Sequence, residues 1–214
     1  MVTLNPTMLL PRMRNFLTLI KELTETLLLA GIIFIALNLS VQNFRVEGPS
    51  MEPTLETSQY ILVNKVVYFT LDGKLIDNLP FVSRRDTETV YLFHPPRRGE
   101  IVVFHPPEDS NLDDSFLGDT KTDWVKRVIG LPGDTLEGKK GQIYVNGESL
   151  NEPWIQNAQI ANFPSTVVPN ASYFLIGDNR YASTDSRIIG PIPKDDIVGK
   201  AWLSFWPISM FSIL

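Results

Sequence analysis

Apolar and polar positions along this chain follow two regimes that meet near residue 44. From Thr26 to Phe44 there is no charged residue for 19 positions. Leu27, Leu28, Ile32, Ile33, Phe34 and Leu37 in that run point all round a helix rather than along one stripe. A run of this length can span the ~30 Å hydrocarbon core of a bilayer, so the pattern predicts a transmembrane anchor over 26–44. Residues 1–25 carry Arg12, Arg14 and Lys21 against Glu22 and Glu25. Pro6 and Pro11 interrupt a continuous helix there, and the stretch reads as an exposed tail. Three Lys or Arg precede the run and one, Arg45, follows closely, which places the N-terminus in the cytoplasm and everything after Phe44 across the membrane. A cleaved secretory signal peptide and the core helix of a soluble domain are the competing readings of the run. No A-x-A-like site follows it before residue 50.

Beyond Phe44 the period changes. Tyr60–Phe69, Arg98–Phe104, Trp124–Ile129 and Tyr173–Ile176 are short runs rich in β-branched and aromatic residues, bounded by Gly and Pro. Gln142–Val145 and Glu148–Leu150 flank Asn146-Gly147, the pair that a two-residue type I′ hairpin favours. A last strand covers Gly199–Pro207, where Trp202, Phe205 and Trp206 suit either a core or a membrane interface. With no second convincing helix, residues 45–214 read as a mostly β, antiparallel domain behind a single N-terminal transmembrane helix. Residues 108–123 are polar and acidic. Asp109, Asp113 and Asp114 could suggest a calcium loop, but the glycine and terminal glutamate of an EF-hand are missing, and a solvated loop is expected. Residues 151–171 declare no element.

The net charge of −5 comes from 19 basic and 24 acidic residues with no basic cluster, which argues against a nucleic-acid partner. The chain has no cysteine, so disulfides, thiolate catalysis and cysteine-ligated zinc are excluded. No cofactor and no metal are expected. Any histidine-based mechanism must use His94 or His105, each within an F-H-P-P tetrad.

The candidate chemistry centres on V-E-G-P-S-M-E-P-T-L, residues 46–55. Ser50 stands between Pro49 and Pro53, on a backbone that can neither continue a helix nor pair freely in a sheet, and such a turn presents its hydroxyl. A serine needs a base before it attacks. Alternation along the Trp124 strand puts Lys126 on one face with Trp124 and Val128, and Arg127 on the other with Val125 and Ile129. An amine on an apolar face loses charge stabilisation, and a pKa falling from ~10.4 towards 7 to 8 would free it to act as a base. The alternative is a lysine that snorkels to water. In G-D-N-R-Y-A-S-T-D-S-R, residues 177–187, an extended second half would align Ser183, Asp185 and Arg187. Asp185 would then pair with Arg187, leaving Ser183 to accept from a lysine amine; the plain alternative is a polar loop with a surface ion pair.

Four segments, S-M-E-P-T-L from Ser50, R-G-E-I-V-V-F from Arg98, K-R-V-I-G-L-P-G-D from Lys126 and the motif from Gly177, occur in this order. Together they resemble the type I signal peptidases, and P-S-M-E-P-T-L is similar to cyanobacterial and plastid thylakoid members. The resemblance covers 45–207. It implies a β-rich catalytic core, a smaller inserted β subdomain at roughly 137–175, and a Ser-Lys dyad without histidine. By position, it makes Ser50 the nucleophile, Lys126 the general base and Ser183 the group that orients the lysine, with Asp185 and Arg187 holding that last segment. Some family members carry a serine hydroxyl for the oxyanion where this chain has Gly48, so backbone N–H groups, including that of Ser50, would have to serve.

The function so implied is removal of N-terminal signal peptides from exported preproteins, cut after small residues, by an enzyme held in membrane lipid. The location expected is the plasma (inner) membrane with the catalytic domain on the periplasmic side, or the thylakoid membrane. Six residues from Phe44 to Ser50 keep the nucleophile within ~20 Å of the end of the run. A Ser-His-Asp hydrolase, a non-catalytic anchored β module and a self-cleaving repressor-like autoprotease are the competing classes. The last would need a DNA-binding segment, and none is visible.

Overall fold

The computed structural model describes residues 9–72, 89–107, 122–155 and 162–214. The chain divides into two units, Met1–Ser40 and Val41–Leu214. The first contains one helix, α1 (Leu9–Ser40). Pro11 sits in its first turn, where the missing N–H breaks no intrahelical bond, so the proline expected to interrupt a helix instead lies inside its start. Thr24, Thr26, Asn38 and Ser40 each turn a side-chain donor back to the carbonyl four residues earlier, at 2.6 to 2.9 Å. Their polar groups are thereby satisfied within the helix, as a lipid environment demands. Thr18–Ser40 is long and apolar enough to cross a membrane, with a mean hydropathy of 1.8.

The helix stops at Ser40, and residues 41–44 of the run read as 26–44 belong to strand β1 (Val41–Arg45). There they pair antiparallel with β2 (Tyr60–Asn64), Val41 opposite Asn64 and Arg45 opposite Tyr60. A free sheet edge supplies the partners that end the helix, and no local hydropathy signals it. A 3-10 turn at Val66–Tyr68 follows β2, and then the pair β3 (Thr70–Asp72) and β4 (Thr89–Tyr91). The stretch read as one strand or a bent pair over 60–69 is thus a strand and a turn.

The remaining strands are β5 (Ile101–Phe104), β6 (Trp124–Gly130), β7 (Thr135–Lys139), β8 (Gln142–Val145), β9 (Glu148–Ser149), β10 (Phe163–Val167) and β11 (Ser172–Ile176). A four-residue helix, α2 (Ser186–Ile189), precedes β12 (Ile192–Pro193), β13 (Ile197–Trp206) and β14 (Ser212–Ile213). Among the described residues the main sheet has eight strands in the order β1-β2-β13-β5-β6-β11-β12, with β14 added to β13. Every pairing is antiparallel. Both faces of its centre are covered, which explains why Ile101-Val102-Val103-Phe104 is apolar without alternation. Ile101 and Val103 pack with Met51, Leu55, Ile61 and Val63 on one face. Val102 and Phe104 pack with Tyr68, Val128, Leu175 and Ile192 on the other.

The smaller sheet, β10-β7-β8-β9, spans 135–167 and has its own core around Leu136, Ile143 and Phe163. Its β8–β9 turn has φ +53 at Asn146 and +84 at Gly147, the left-handed pair of a type I′ hairpin. The range read as 137–175 also took in β11, which is bonded to β6 of the main sheet, Leu175 opposite Val128 and Ile176 opposite Arg127. Trp202 and Trp206 are exposed rather than in a core, while Phe205 tilts against Tyr60 with ring centres 6.1 Å apart. The acidic stretch with Asp109, Asp113 and Asp114 lies outside the described residues.

Candidate active site

The serine turn is pinned by what flanks it. Met51 and Leu55 are fully buried, and the turn closes with Glu52 N–H donating to Pro49 O at 3.1 Å and Leu55 N–H to Met51 O at 2.9 Å. Ser50 itself is half-buried, on the wall of a cleft of about 570 Å³ that also exposes Gly48, Asp123, Trp124, Lys126 and Ala182. Gly48 has φ +77 with open space where a Cβ would stand, so its conformation rather than crowding favours glycine.

Lys126 arrives from the middle of β6. Its Nζ lies 3.0 Å from Ser50 Oγ and donates at 2.9 Å to the Val125 carbonyl, and the residue is 4% exposed. The Trp124 ring centre is 5.4 Å from Nζ, consistent with the shared face read from the alternation. Burial, the dominant influence, brings the Lys126 pKa down from 10.5 to about 8; Asp185 and Asp178 pull it up and Arg187 pushes it down. Near neutral pH a useful fraction of such an amine is unprotonated, and a neutral amine at this distance can take the proton of a hydroxyl.

The segment from Gly177 is a loop leading into α2, not an extended strand. Asp185 is fully buried and caps α2, accepting the Arg187 N–H at 3.2 Å. Its carboxylate also takes the Gly177 N–H at 3.0 Å, the Ser183 hydroxyl at 2.7 Å, and Arg187 through Nε and Nη2, both at 2.8 Å. The Asp185–Arg187 pair therefore forms, but through a helix cap rather than strand alternation. The Ser183 hydroxyl donates to Asp185, which leaves its lone pairs open, and the side-chain hydrogen bonds of Lys126 go to Ser50 and the Val125 carbonyl.

Neither histidine bonds Ser50. His105 Nδ1 lies 2.5 Å from Asp123 Oδ1, and His94 Nδ1 contacts the Pro95 carbonyl at 2.8 Å.

The family model described as signal peptidase, peptidase S26 matches residues 19–206. The chain belongs to that family. A probable signal peptidase I-1 of Synechocystis sp. is 35% identical over 196 residues, covering 91% of this chain and 87% of the relative. Signal peptidase I of Leptolyngbya laminosa is 33% identical over 180 residues, covering 82% and 76%. Signal peptidase IB of Staphylococcus aureus is 33% identical over 213 residues, covering 89% and 93%. As a member of the peptidase S26 family the chain is a serine endopeptidase of the signal peptidase I type.

In this signal peptidase I relative, the sequence pattern gives no sign of two buried charges beside Ser50 and Lys126. Arg127, opposite Lys126 in the alternation, grips Asp178 with Nε to Oδ1 at 2.8 Å and Nη2 to Oδ2 at 2.6 Å. It also donates to the Gly99 carbonyl at 2.6 Å, while Thr54, four residues past the serine, donates to Asp178 at 2.6 Å. Asp178 belongs to the motif that starts at Gly177, where nothing local gives it a role. Its partner lies 51 residues away, and no local pattern links them.

Proposed function

We propose that this chain is a membrane-anchored endopeptidase that removes N-terminal signal peptides from exported preproteins with a Ser50–Lys126 dyad. The observation that carries the reading is the 3.0 Å contact from Lys126 Nζ to Ser50 Oγ, made by a buried lysine. In the proposed reaction neutral Lys126 takes the Ser50 proton as Oγ attacks the scissile carbonyl carbon. Backbone N–H groups meet the oxyanion, with Gly48 offering no side-chain donor. The Lys126 ammonium then gives its proton to the leaving amine, and the mature protein departs. Water, deprotonated by the same amine, attacks the ester carbonyl and frees the signal peptide and Ser50. Asp185 and Arg187 would hold the loop, and Ser183 would orient the lysine through a lone pair that its bond to Asp185 leaves open.

An extended substrate fits the cleft between the stretches 45–49 and 122–125, pairing with strand edge as extended peptides do. Small side chains before the scissile bond are the expected preference. The Thr18–Ser40 span, with Arg12 and Arg14 ahead of it, supports a cytoplasmic N-terminus and a domain on the far side of the plasma or thylakoid membrane.

The test is cleavage of a purified preprotein by the full chain in detergent, with N-terminal sequencing of the product. Ser50→Ala and Lys126→Ala should each lower the rate by at least ~10³-fold, and the double variant should be no worse than either single. His105→Ala should stay within about tenfold of wild type, the least a lost general base would cost being larger. Loss in His105→Ala with retention in Lys126→Ala would replace the dyad by a histidine mechanism.

A further inference from the structure

Two side chains from one short segment reach the two buried arginines beside the serine turn. Glu152 and Trp154 lie just beyond β9, outside the four motifs that carry the functional reading. Glu152 receives the Arg180 guanidinium in a two-pronged pair, Nη1 to Oε2 at 3.1 Å and Nη2 to Oε1 at 2.5 Å. The two side chains are 1% and 8% exposed, Arg180 and Glu152 respectively. Trp154 faces the other arginine, with the Arg127 guanidinium carbon 4.6 Å from its ring centre.

Arg180 passes the constraint inward. Its Nε donates to the Gly177 carbonyl at 3.0 Å, and its own carbonyl accepts from Arg187 Nη2 at 3.0 Å. The adjacent Asn179 N–H donates to the Ser50 carbonyl at 3.0 Å. Resting on the reading of Ser50 as nucleophile, we infer that Glu152 is a positioning residue for cleavage: it fixes Arg180, which fixes the turn whose Asn179 N–H holds the Ser50 peptide beside Lys126.

A buried ion pair adds little net stability, because desolvation offsets the attraction. What a fork on a carboxylate does supply is a single orientation. Glu152 applies that orientation to a turn one residue from a backbone contact with Ser50. The smaller sheet, whose β9–β10 connection carries Glu152, thereby acts on the dyad without touching substrate.

The experiment is single-turnover cleavage of a preprotein by full-length enzyme in detergent, with enzyme in saturating excess. Its rate constant does not fall when part of the sample is unfolded. Glu152→Gln, isosteric but uncharged, should lower that constant about ten- to a hundred-fold, the scale of a small misplacement of reacting groups. Glu152→Asp, which keeps the charge, should recover part of the loss. A Glu152→Gln constant within about twofold of wild type, with Ser50→Ala inactive, would overturn the inference and leave the serine assignment standing. Full cleavage by Ser50→Ala would remove both. Failure of Glu152→Gln and Glu152→Asp alike to fold would show a purely structural pair and would also overturn it.

Discussion

The carbonyl of Ser50 accepts a hydrogen bond from the N–H of Asn179 at 3.0 Å, so the serine turn and the 177–187 loop are joined through their backbones. Gly177 makes this close approach possible. A Cβ there would stand 2.5 Å from the Ser50 carbonyl oxygen and 2.2 Å from Ser183 Oγ. The serine side chain could turn away, but the backbone oxygen cannot move without moving Ser50, the proposed nucleophile. Gly177→Ala should therefore cut cleavage by about 10²-fold or more, the cost of displacing reacting groups by the order of an ångström. Near-wild-type kcat in Gly177→Ala would show that the two segments are not tightly coupled.

A second prediction concerns pH. Only neutral Lys126 can accept the serine proton, so cleavage should rise with pH through about 8, the value to which burial lowers this amine. Its folded-state pKa lies below the unfolded one, so between the two the unfolded chain holds more protons and stability rises with pH. Below the folded value the cost of the buried ammonium is fully present, on the order of 3 kcal/mol. Lys126→Met should then be inactive yet at least as stable as wild type at pH 7. Thermal melts at pH 7 and pH 10 provide the check, and a variant melting well below wild type at pH 7 would mark Lys126 as a paired structural cation.

Asp178 offers a third. It is buried, and both its oxygens serve Arg127 while Thr54 donates to one of them. Asp178→Asn leaves the Arg127 charge without its counter-ion, and the loss of one partner of a buried pair costs ~3–5 kcal/mol. Denaturant unfolding should register that loss at neutral pH. A change under about 1 kcal/mol would mean that water or the Trp154 ring carries the charge instead.

Topology gives the fourth. With Arg12 and Arg14 before the span and the β domain after Ser40, protease added outside spheroplasts should digest the domain and spare the first residues. Protection of the domain would invert the orientation and remove exported preproteins from its reach.

The sequence by itself determined what local order encodes. An uncharged run about as long as a bilayer core is thick predicts a long apolar helix able to span it, and period-two runs broken by Gly and Pro predict antiparallel strands. The two-proline setting of Ser50 and the face shared by Lys126 and Trp124 were likewise legible, since each depends on neighbours within a few residues. Only the tertiary structure decided where the helix stops, because Val41–Arg45 leave it to pair with β2. Only it showed that the Ser183 hydroxyl donates a hydrogen bond to Asp185, that Asp185 caps a helix, and that Arg127 and Arg180 are buried against Asp178 and Glu152. Those contacts depend on which strands and loops become neighbours. A buried charge takes whatever counter-charge the fold brings within reach, and the separation of 51 positions from Arg127 to Asp178 carries no periodicity that could foretell it.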